Sequence, residues 1–321
     1  MADLSISANS AEDLSKTIDT DGDLRMAQSN ARYLITCFVL AICLAKVASA
    51  AAILIGDDKS RPESLTFAPG GVLIVGSASS PFVYKVRPGS SLAEKFIDVS
   101  SEGPGTSFLG MLADAASNTL WTCQRTITPN APPMHGQSAL RRFDLTTGAP
   151  KLRWNLPGDN TACNDFAFGP DRAFYITDTF AGRIYKLPSG ATTAELYLEH
   201  QLLRGVDGIT FLNGTLYVNN VFSGKLYRIP VGADGKPGQP VEITTDQPLK
   251  GPDGMRAANG KLFVAANGAG MIASLTINGD KATVTVLKEG LKRPTGIEPA
   301  DDTLWFTEID AGKADSIPMP R

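Results

Sequence analysis

A short phrase recurs along this chain of 321 residues. A polar residue, often followed by glycine and an aliphatic residue, precedes a turn and then a second apolar strand. The fullest copy runs from 252 to 255 (PDGM) and continues at 260–265 (GKLFVA). Aligning six copies brings these residues to one equivalent position: Glu63, Leu109, Asn164, Asp207, Asp253 and Thr295.

The spacing of these copies predicts the fold. Successive equivalent residues are 42 to 55 positions apart, and a repeat of about forty residues with four strands is typical of a propeller blade. We therefore predict an all-β fold, a six-bladed β-propeller with four-stranded blades. The sixth repeat is one strand short, and a propeller must close its ring or expose an edge. We expect 53–55 to complete the last blade.

The first fifty residues differ in character from the rest. Residues 1–25 are polar and acidic, which indicates a disordered leader or a true start at Met26. Residues 26–50 combine Arg32 before an apolar run with Ala-Ser-Ala at 48–50, as in a secretory signal peptide, although Lys46 inside the boundary weakens the signal. We expect cleavage, a propeller over 51–321, no membrane span afterwards and a periplasmic or secreted protein. The alternatives are an uncleaved anchor and a buried internal helix.

Charge and motifs exclude several classes of protein. A net charge of −3 gives no footprint for nucleic acid, and neither a nucleophile elbow, a P-loop nor a dinucleotide fingerprint is present. We expect a monomer or small homo-oligomer. Beyond residue 50 two cysteines remain, Cys123 and Cys163. They either pair, as an oxidising compartment allows, or stay separate as buried thiols.

The equivalent position of the repeat also suggests chemistry. In a propeller the first strand of each blade lines the central channel, so the aligned residues would form a ring. Four of them carry oxygen donors: Glu63, Asn164, Asp207 and Asp253. Like charges on a narrow axis repel, and a divalent cation would offset them. All-oxygen ligands suit Ca²⁺, Mg²⁺ or Mn²⁺. The alternative is that these residues merely begin β-turns.

The motifs 61–64 (RPES), 164–165 (ND), 207–209 (DGI) and 252–255 (PDGM) resemble those of the gluconolactonase/senescence-marker-protein (regucalcin-like) superfamily. The resemblance covers most of 60–310 and implies a six-bladed propeller with a divalent metal on its axis, preferably Ca²⁺, with Mg²⁺, Mn²⁺ or Zn²⁺ as alternatives. It assigns the metal ligands to Glu63, Asn164, Asp207 and Asp253. It also makes Asp253 the first candidate for a catalytic base or nucleophile and Asp207 the second.

Two departures from the family bear on the substrate. Asp207 stands where the family usually has asparagine, and Ala162-Cys163 stands where its sugar lactonases have arginine. The missing arginine argues against a sugar, so an apolar lactone is expected, with Leu109, Phe108, Met111 and Met134 near its pocket. An insertion at 125–137 is expected to lie over one mouth of the channel. Its His135 could contact substrate, whereas His200, between repeats, is expected to be structural.

These observations predict an exported, metal-dependent lactonase or esterase acting on a small-molecule substrate, in which the metal polarises the carbonyl and a carboxylate activates water. Fold alone does not decide function, so two alternatives stay open. One is a non-catalytic propeller that binds a ligand or protein. The other is a metal-free propeller similar to strictosidine synthase, with non-hydrolytic chemistry.

Overall fold

The computed structural model describes residues 52–56, 60–132 and 134–320. The predicted leader at 1–25 and signal peptide at 26–50 lie outside these residues. Within them the chain is built almost entirely from β-strands. Two short 3₁₀ helices, Ser100–Glu102 and Gln201–Leu203, are the exceptions. None of the helices in the described part has the length and apolar character needed to cross a membrane.

The described strands fall into six sets of four, each antiparallel within itself. The first described strand is β1 (Ile53–Leu54). Set 1 is β2 (Pro62–Ala68), β3 (Val72–Ser77), β4 (Phe82–Val86) and β5 (Glu94–Asp98). Set 2 is β6 (Thr106–Asp114), β7 (Thr119–Ile127), β8 (Gly136–Asp144) and β9 (Pro150–Asn155). Set 3 is β10 (Cys163–Phe168), β11 (Phe174–Asp178), β12 (Arg183–Leu187) and β13 (Glu195–Glu199).

The remaining sets follow the same order. Set 4 is β14 (Val206–Leu212), β15 (Thr215–Asn220), β16 (Lys225–Ile229) and β17 (Val241–Thr245). Set 5 is β18 (Pro252–Ala258), β19 (Lys261–Ala266), β20 (Met271–Asn278) and β21 (Lys281–Lys288). A short parallel pairing of β17 with β21 joins sets 4 and 5 into one sheet. Set 6 has three consecutive strands, β22 (Pro294–Ala300), β23 (Thr303–Glu308) and β24 (Lys313–Pro318).

The fourth strand of set 6 comes from the other end of the described chain. Strand β1 pairs antiparallel with β24, with Ile53 opposite Ala314. The first strands of successive sets contact one another, and β22 contacts β2, so these inner strands close into a ring. The prediction of an all-β propeller of four-stranded sheets, completed by the strand near residue 53, is therefore confirmed.

The apolar core is divided among the gaps between neighbouring sets. One such cluster joins Ile74 and Val83 of set 1 to Phe108, Met111 and Leu120 of set 2. Phe108 and Met111 are completely buried there. The expectation that these two side chains lie near a substrate pocket was therefore wrong, because both point between sheets and not towards the channel.

Each inner strand contains a β-bulge at the position that the sequence alignment had equated. The pairing of inner and second strand shifts between Pro62 and Leu65, and again between Val206 and Ile209. The other four inner strands shift at the corresponding residues. A bulge places two residues opposite one and redirects a side chain. The repeated phrase thus encodes a bulge whose first residue is the candidate ring residue.

Polar side chains on the second strands connect these bulges around the axis. Thr177 accepts a hydrogen bond from Asp165 N and donates one to the carbonyl of Asp207, in the next set, at 2.9 Å. Asn219 does the same between Gly208 N and the carbonyl of Asp253, at 2.6 Å. These two side chains therefore satisfy buried backbone groups of their own bulge and of the next one, as buried polar groups require.

Thr307 makes the equivalent link from set 6 to set 1. It accepts a hydrogen bond from Gly296 N and donates to the carbonyl of Glu63, both at 2.7 Å. The ring is therefore tied across its closing junction by the same arrangement.

Glycine follows the ring residue because the next set approaches its backbone closely. A Cβ on Gly208 would lie 2.5 Å from the carbonyl oxygen of Asp253. A Cβ on Gly254 would lie 2.6 Å from that of Thr295. No side chain fits at such distances, and this is the use of glycine where two backbones meet.

A disulfide joins two adjacent sets near the ring. Cys123 of β7 and Cys163 of β10 are bonded, with their Cα atoms 5.3 Å apart. Both residues are fully buried. Of the two states that the sequence left open, the structure has the bonded one.

The hydroxyl of Thr177 provides a test of the links between sets. Thr177→Val keeps the shape but leaves the Asp165 amide and the Asp207 carbonyl without their partner. We expect the free energy of unfolding to fall by about 2–4 kcal/mol, since each buried unsatisfied group costs about 1–3 kcal/mol. Urea unfolding measures it. Thr177→Ser is the control, because it retains the hydroxyl. Equal losses in the two variants would show that the methyl group and not the hydrogen bonds matters.

Candidate functional site

The four predicted ligands line one cavity at a mouth of the channel. The cavity has a volume of about 490 Å³, and its inner wall includes Glu63, Asn164, Asp207 and Asp253. Each of these side chains stands on the bulge of a different inner strand. Of the two other aligned residues, Leu109 lines the same cavity. The hydroxyl of Thr295 instead donates to the backbone carbonyl of Glu63, at 2.6 Å.

Amide side chains hold two of the carboxyl groups. Asn164 Nδ2 donates to Asp207 Oδ2 at 2.7 Å. Asn267, which the sequence analysis missed, donates from Nδ2 to Asp253 Oδ2 at 3.2 Å. By contrast, Glu63 Oε2 is buried and has no hydrogen-bond partner among the described residues. One carboxylate oxygen is thus unsatisfied at the centre of the ring.

The three ring carboxyls are poor acids in this environment. Burial, followed by the charge of Asp253, raises the pKa of both Glu63 and Asp207 well above their ordinary values. Burial also raises the pKa of Asp253 to about 7, although the Asn267 hydrogen bond opposes the shift. Asp253 is therefore a carboxyl that can accept and release a proton near neutral pH.

A buried arginine, also missed from the sequence, lies on the axis beside the ring. Arg256 Nη1 donates to Asp165 Oδ2 at 2.7 Å, and its Nε donates to Glu298 Oε2 at 3.1 Å. Its Nη2 lies 3.5 Å from the carbonyl of Met111. It therefore contacts sets 2, 3 and 6 from its own place in set 5.

Arg256 partly offsets the negative charge of the ring. Its guanidinium lowers the pKa of Glu63, although burial outweighs that effect. Because Asp165 and Glu298 already pair with it, it leaves the carboxyls of Glu63, Asp207 and Asp253 without a dedicated counter-charge. The signal was in the sequence: Arg256 follows Met255 in β18, where alternation turns one residue to the core and the next to the channel.

The outer wall of the cavity is largely apolar. Phe180 and Phe222 stack with their ring centroids 6.4 Å apart, and Phe222 is 66% exposed. The guanidinium of Arg125 lies 4.8 Å from the Phe180 ring. Met134 completes this wall. The insertion at 125–137 thus lies at the mouth, as expected. Neither aromatic residue was singled out from the sequence, because both stand in loops outside the repeated phrase.

The two histidines are remote from this chemistry. His200 Nδ1 accepts from Leu202 N at 3.1 Å and so begins the second 3₁₀ helix, consistent with the structural role expected of it. His135 closes the turn between β7 and β8, where its carbonyl accepts from Thr128 N at 2.9 Å. Neither residue lines the mouth cavity.

The residue types of the ring suit a hard divalent cation, but their present side-chain conformations do not place them to bind one. The ring offers three carboxyls and an amide oxygen, the ligands such cations prefer, and one of those oxygens, Glu63 Oε2, lacks a partner in the described chain. Yet in the described residues no three His, Cys, Asp or Glu side chains are placed to hold a metal together. Asp207 and Asp253 are turned towards Asn164 and Asn267 instead.

The chain matches no protein-family model and no curated protein sequence. It is similar to solved structures. One is assigned as a gluconolactonase (16% identity, 84% of this chain and 92% of that one, TM-score 0.62). Another is a calcium-binding regucalcin from Agrobacterium tumefaciens (19% identity, 85% and 98%, TM-score 0.61). A third is a catalytically inactive histidine-to-alanine variant of Staphylococcus aureus virginiamycin B lyase with quinupristin (16% identity, 84% and 98%, TM-score 0.59). At these identities the likeness establishes the propeller fold alone.

The charge balance around Arg256 gives a pH-dependent prediction. Burial raises the pKa of Glu298 to about 7, so the folded chain holds a proton that the unfolded chain releases near its ordinary pKa. Stability from this group is therefore full at low pH and is lost as pH rises towards 7. We expect Glu298→Gln to become more stable relative to wild type by about 1–3 kcal/mol between pH 5 and 8.

Urea unfolding at both pH values measures the change, with the exposed Glu195→Gln as control. Parallel pH profiles for wild type and Glu298→Gln would contradict the prediction.

Proposed function

We propose that this protein is a hydrolase of lactones or related esters that uses a divalent cation, preferably Ca²⁺. The observation that carries the proposal is the ring itself: buried carboxyls of three sets and one amide face a single cavity of about 490 Å³. Burying three carboxyls without enough positive charge to offset them costs free energy. A bound cation would remove that cost. The regucalcin neighbour is described as calcium-binding.

Glu63, Asn164, Asp207 and Asp253 would hold the cation. When bound there, it would neutralise the ring and polarise a carbonyl as a Lewis acid. The amides of Asn164 and Asn267 each contact one oxygen, Oδ2, of Asp207 and Asp253. Glu63 Oε2 has no hydrogen-bond partner among the described residues.

The residues of the chain supply the proton transfers. Asp253 faces the cavity, and with no cation bound its pKa is about 7. A cation beside it would lower that pKa and favour the ionised form that accepts a proton. In its ionised form it takes a proton from water as the oxygen of that water attacks the ester carbonyl. It then returns the proton to the leaving alkoxide, so the ring-opened acid and alcohol are formed and Asp253 is regenerated. Asn267 orients this carboxyl through its hydrogen bond, and Asp207 is the second candidate for the same task.

The walls of the cavity favour an apolar acyl or leaving group over a sugar. Phe180, Phe222, Leu109 and Met134 present hydrocarbon to the space above the ring. Such surface binds by burial, at about 25 cal/mol per Å².

A histidine-dependent lyase reaction is a poorer candidate, although one neighbour is such an enzyme inactivated by loss of a histidine. Neither His135 nor His200 lines the cavity. A non-catalytic binding propeller is the second candidate, and one observation favours it: among the described residues no three His, Cys, Asp or Glu side chains are placed to hold a metal together.

We also propose that the chain is exported, with 26–50 as its signal peptide. The Cys123–Cys163 disulfide supports this, since such bonds persist in oxidising compartments and are rare in the cytosol.

Hydrolysis of a panel of aryl esters and lactones, with Ca²⁺ or with EDTA, tests the activity. We expect turnover only with the cation, and a loss of about 10²–10⁴-fold in kcat for Asp253→Asn, the range of a general base. Glu63→Gln should lower the affinity for Ca²⁺ in calorimetry. Asp302→Asn, in an exposed turn, is the control for both.

Three outcomes separate the candidates. Cation-dependent turnover that Asp253→Asn removes supports the hydrolase. Calcium binding without any turnover favours the binding propeller. Full turnover in EDTA contradicts the role of the cation.

A further inference from the structure

One backbone position recurs two residues before each aligned ring residue. In five of the six sets its carbonyl accepts a hydrogen bond from the residue that follows the second strand of the same set, as in Arg61 with Ala78 N at 2.9 Å and Gly251 with Asn267 N at 2.7 Å. The six residues at this position are Arg61, Ser107, Ala162, Gly205, Gly251 and Arg293.

Four of these six residues have a left-handed backbone. The two glycines, Gly205 and Gly251, have φ values of 98° and 57°, a conformation that glycine adopts without penalty. Arg61 and Arg293 adopt it too, with φ of 45° and 56°. A side chain there costs roughly 1–2 kcal/mol. The proline that follows each arginine disfavours a helical backbone further. In two sets of six, an arginine stands where glycine would be unstrained.

The contacts of these arginines do not offset that cost. Arg61 Nη2 lies 3.2 Å from Asp310 Oδ1, and Arg293 Nη1 lies 3.4 Å from both oxygens of the same carboxylate. The arginine side chains are 42% and 50% exposed. Ion pairs at such exposed sites contribute about 0–1 kcal/mol. Strain that stability does not explain is typical of functional positions.

The positions of the Arg61 and Arg293 guanidinium groups suggest that they bind a ligand. Arg293 lines the mouth cavity, and its Nε lies 3.4 Å from Asn267 Oδ1, the same amide that holds Asp253. Arg61 and Arg293 therefore share the single carboxylate of Asp310. Arg61 Nε is also buried with no hydrogen-bond partner in the described chain. Asp310 shows that a carboxylate fits between the two forks, though at distances longer than a strong charge-assisted bond.

We propose that Arg61 and Arg293 bind a carboxylate of the substrate at the mouth of the channel. The substrates are then apolar esters or lactones that also carry a carboxylate, with hydrocarbon against Phe180 and Phe222 and the anion at the arginine pair. The identification of the bound compound as a substrate rests on the proposed hydrolase. The anion site itself does not depend on catalysis.

Calorimetric titration of the full chain with benzoate and with benzamide tests the site. The two compounds share a ring and differ in charge. We expect benzoate to bind about tenfold or more tightly, the effect of one hydrogen bond to a charged group. Arg61→Gly and Arg293→Gly should each reduce that preference, and the double variant should abolish it. Because glycine is the unstrained residue here, the Tm of these variants should stay the same or rise.

Arg172→Gly is the matched control. Arg172 also has a left-handed backbone, with φ of 62°, but it lies in an exposed turn and is not one of the two arginines that pair with Asp310. It should keep the preference for benzoate. Equal binding of the two compounds, no measurable binding of benzoate, or an unchanged preference in the double glycine variant would each overturn the proposal.

The result is separable from the fate of the proposed hydrolase. Asp253→Asn should lose hydrolysis and keep the preference for benzoate. If no ester is turned over but the preference exists and disappears in the double glycine variant, the anion site stands and the hydrolase fails. If esters are turned over and the preference for benzoate is missing, the hydrolase stands and the anion site fails.

Discussion

The contact between the bulge of one inner strand and the axial carbonyl of the next is the constraint on which this structure depends. Because the backbones approach so closely, the bulge residue at 208, 254 or 296 must be glycine. Thr177, Asn219 and Thr307 then supply the hydrogen bonds that the bulge leaves open. The same geometry directs the first bulge residue into the channel. The acidic ring is therefore a product of how the sheets are joined, and only the choice of carboxyl or amide at each position is left to function.

Where the bulge lacks its glycine, the chain uses the side chain for another task. Ser64 receives a hydrogen bond from Met111 N at 3.2 Å. Asp165 receives one from Arg256, which reaches across the axis to Glu298. This ion triad ties three sets together and places one cation beside the acidic ring. A single buried guanidinium that already has two partners cannot neutralise three further carboxyls. Burial first, and then the charges of neighbouring carboxylates, raise their pKa values.

The fold was predictable because the repeated residues reflect what the backbone needs at each bulge. A polar residue, a glycine and an apolar residue mark three of the six bulges, looser copies at a spacing near forty mark the others, and the unpaired strand at Ile53 marked the closure. The ring residues followed from the same alignment. The walls of the cavity did not, because Phe180 and Phe222 lie in loops that the repeat does not constrain. Arg256 was missed for a different reason: its partners Asp165 and Glu298 are far away in sequence, and only the closed ring brings them together.

Two kinds of departure from the repeat thus have different meanings. Where the departing side chain satisfies a backbone group, as Ser64 does for Met111 N, packing explains the departure. Where it adds strain, as at Arg61 and Arg293 with their positive φ, packing explains nothing, since glycine in the sister sets does the same structural task at lower cost. Both arginines pair with Asp310, and Arg293 lines the mouth cavity, so the two strained residues lie around one carboxylate. In a repeat protein the equivalent residues of the six sets can be compared within one chain, and they serve as controls for such an argument.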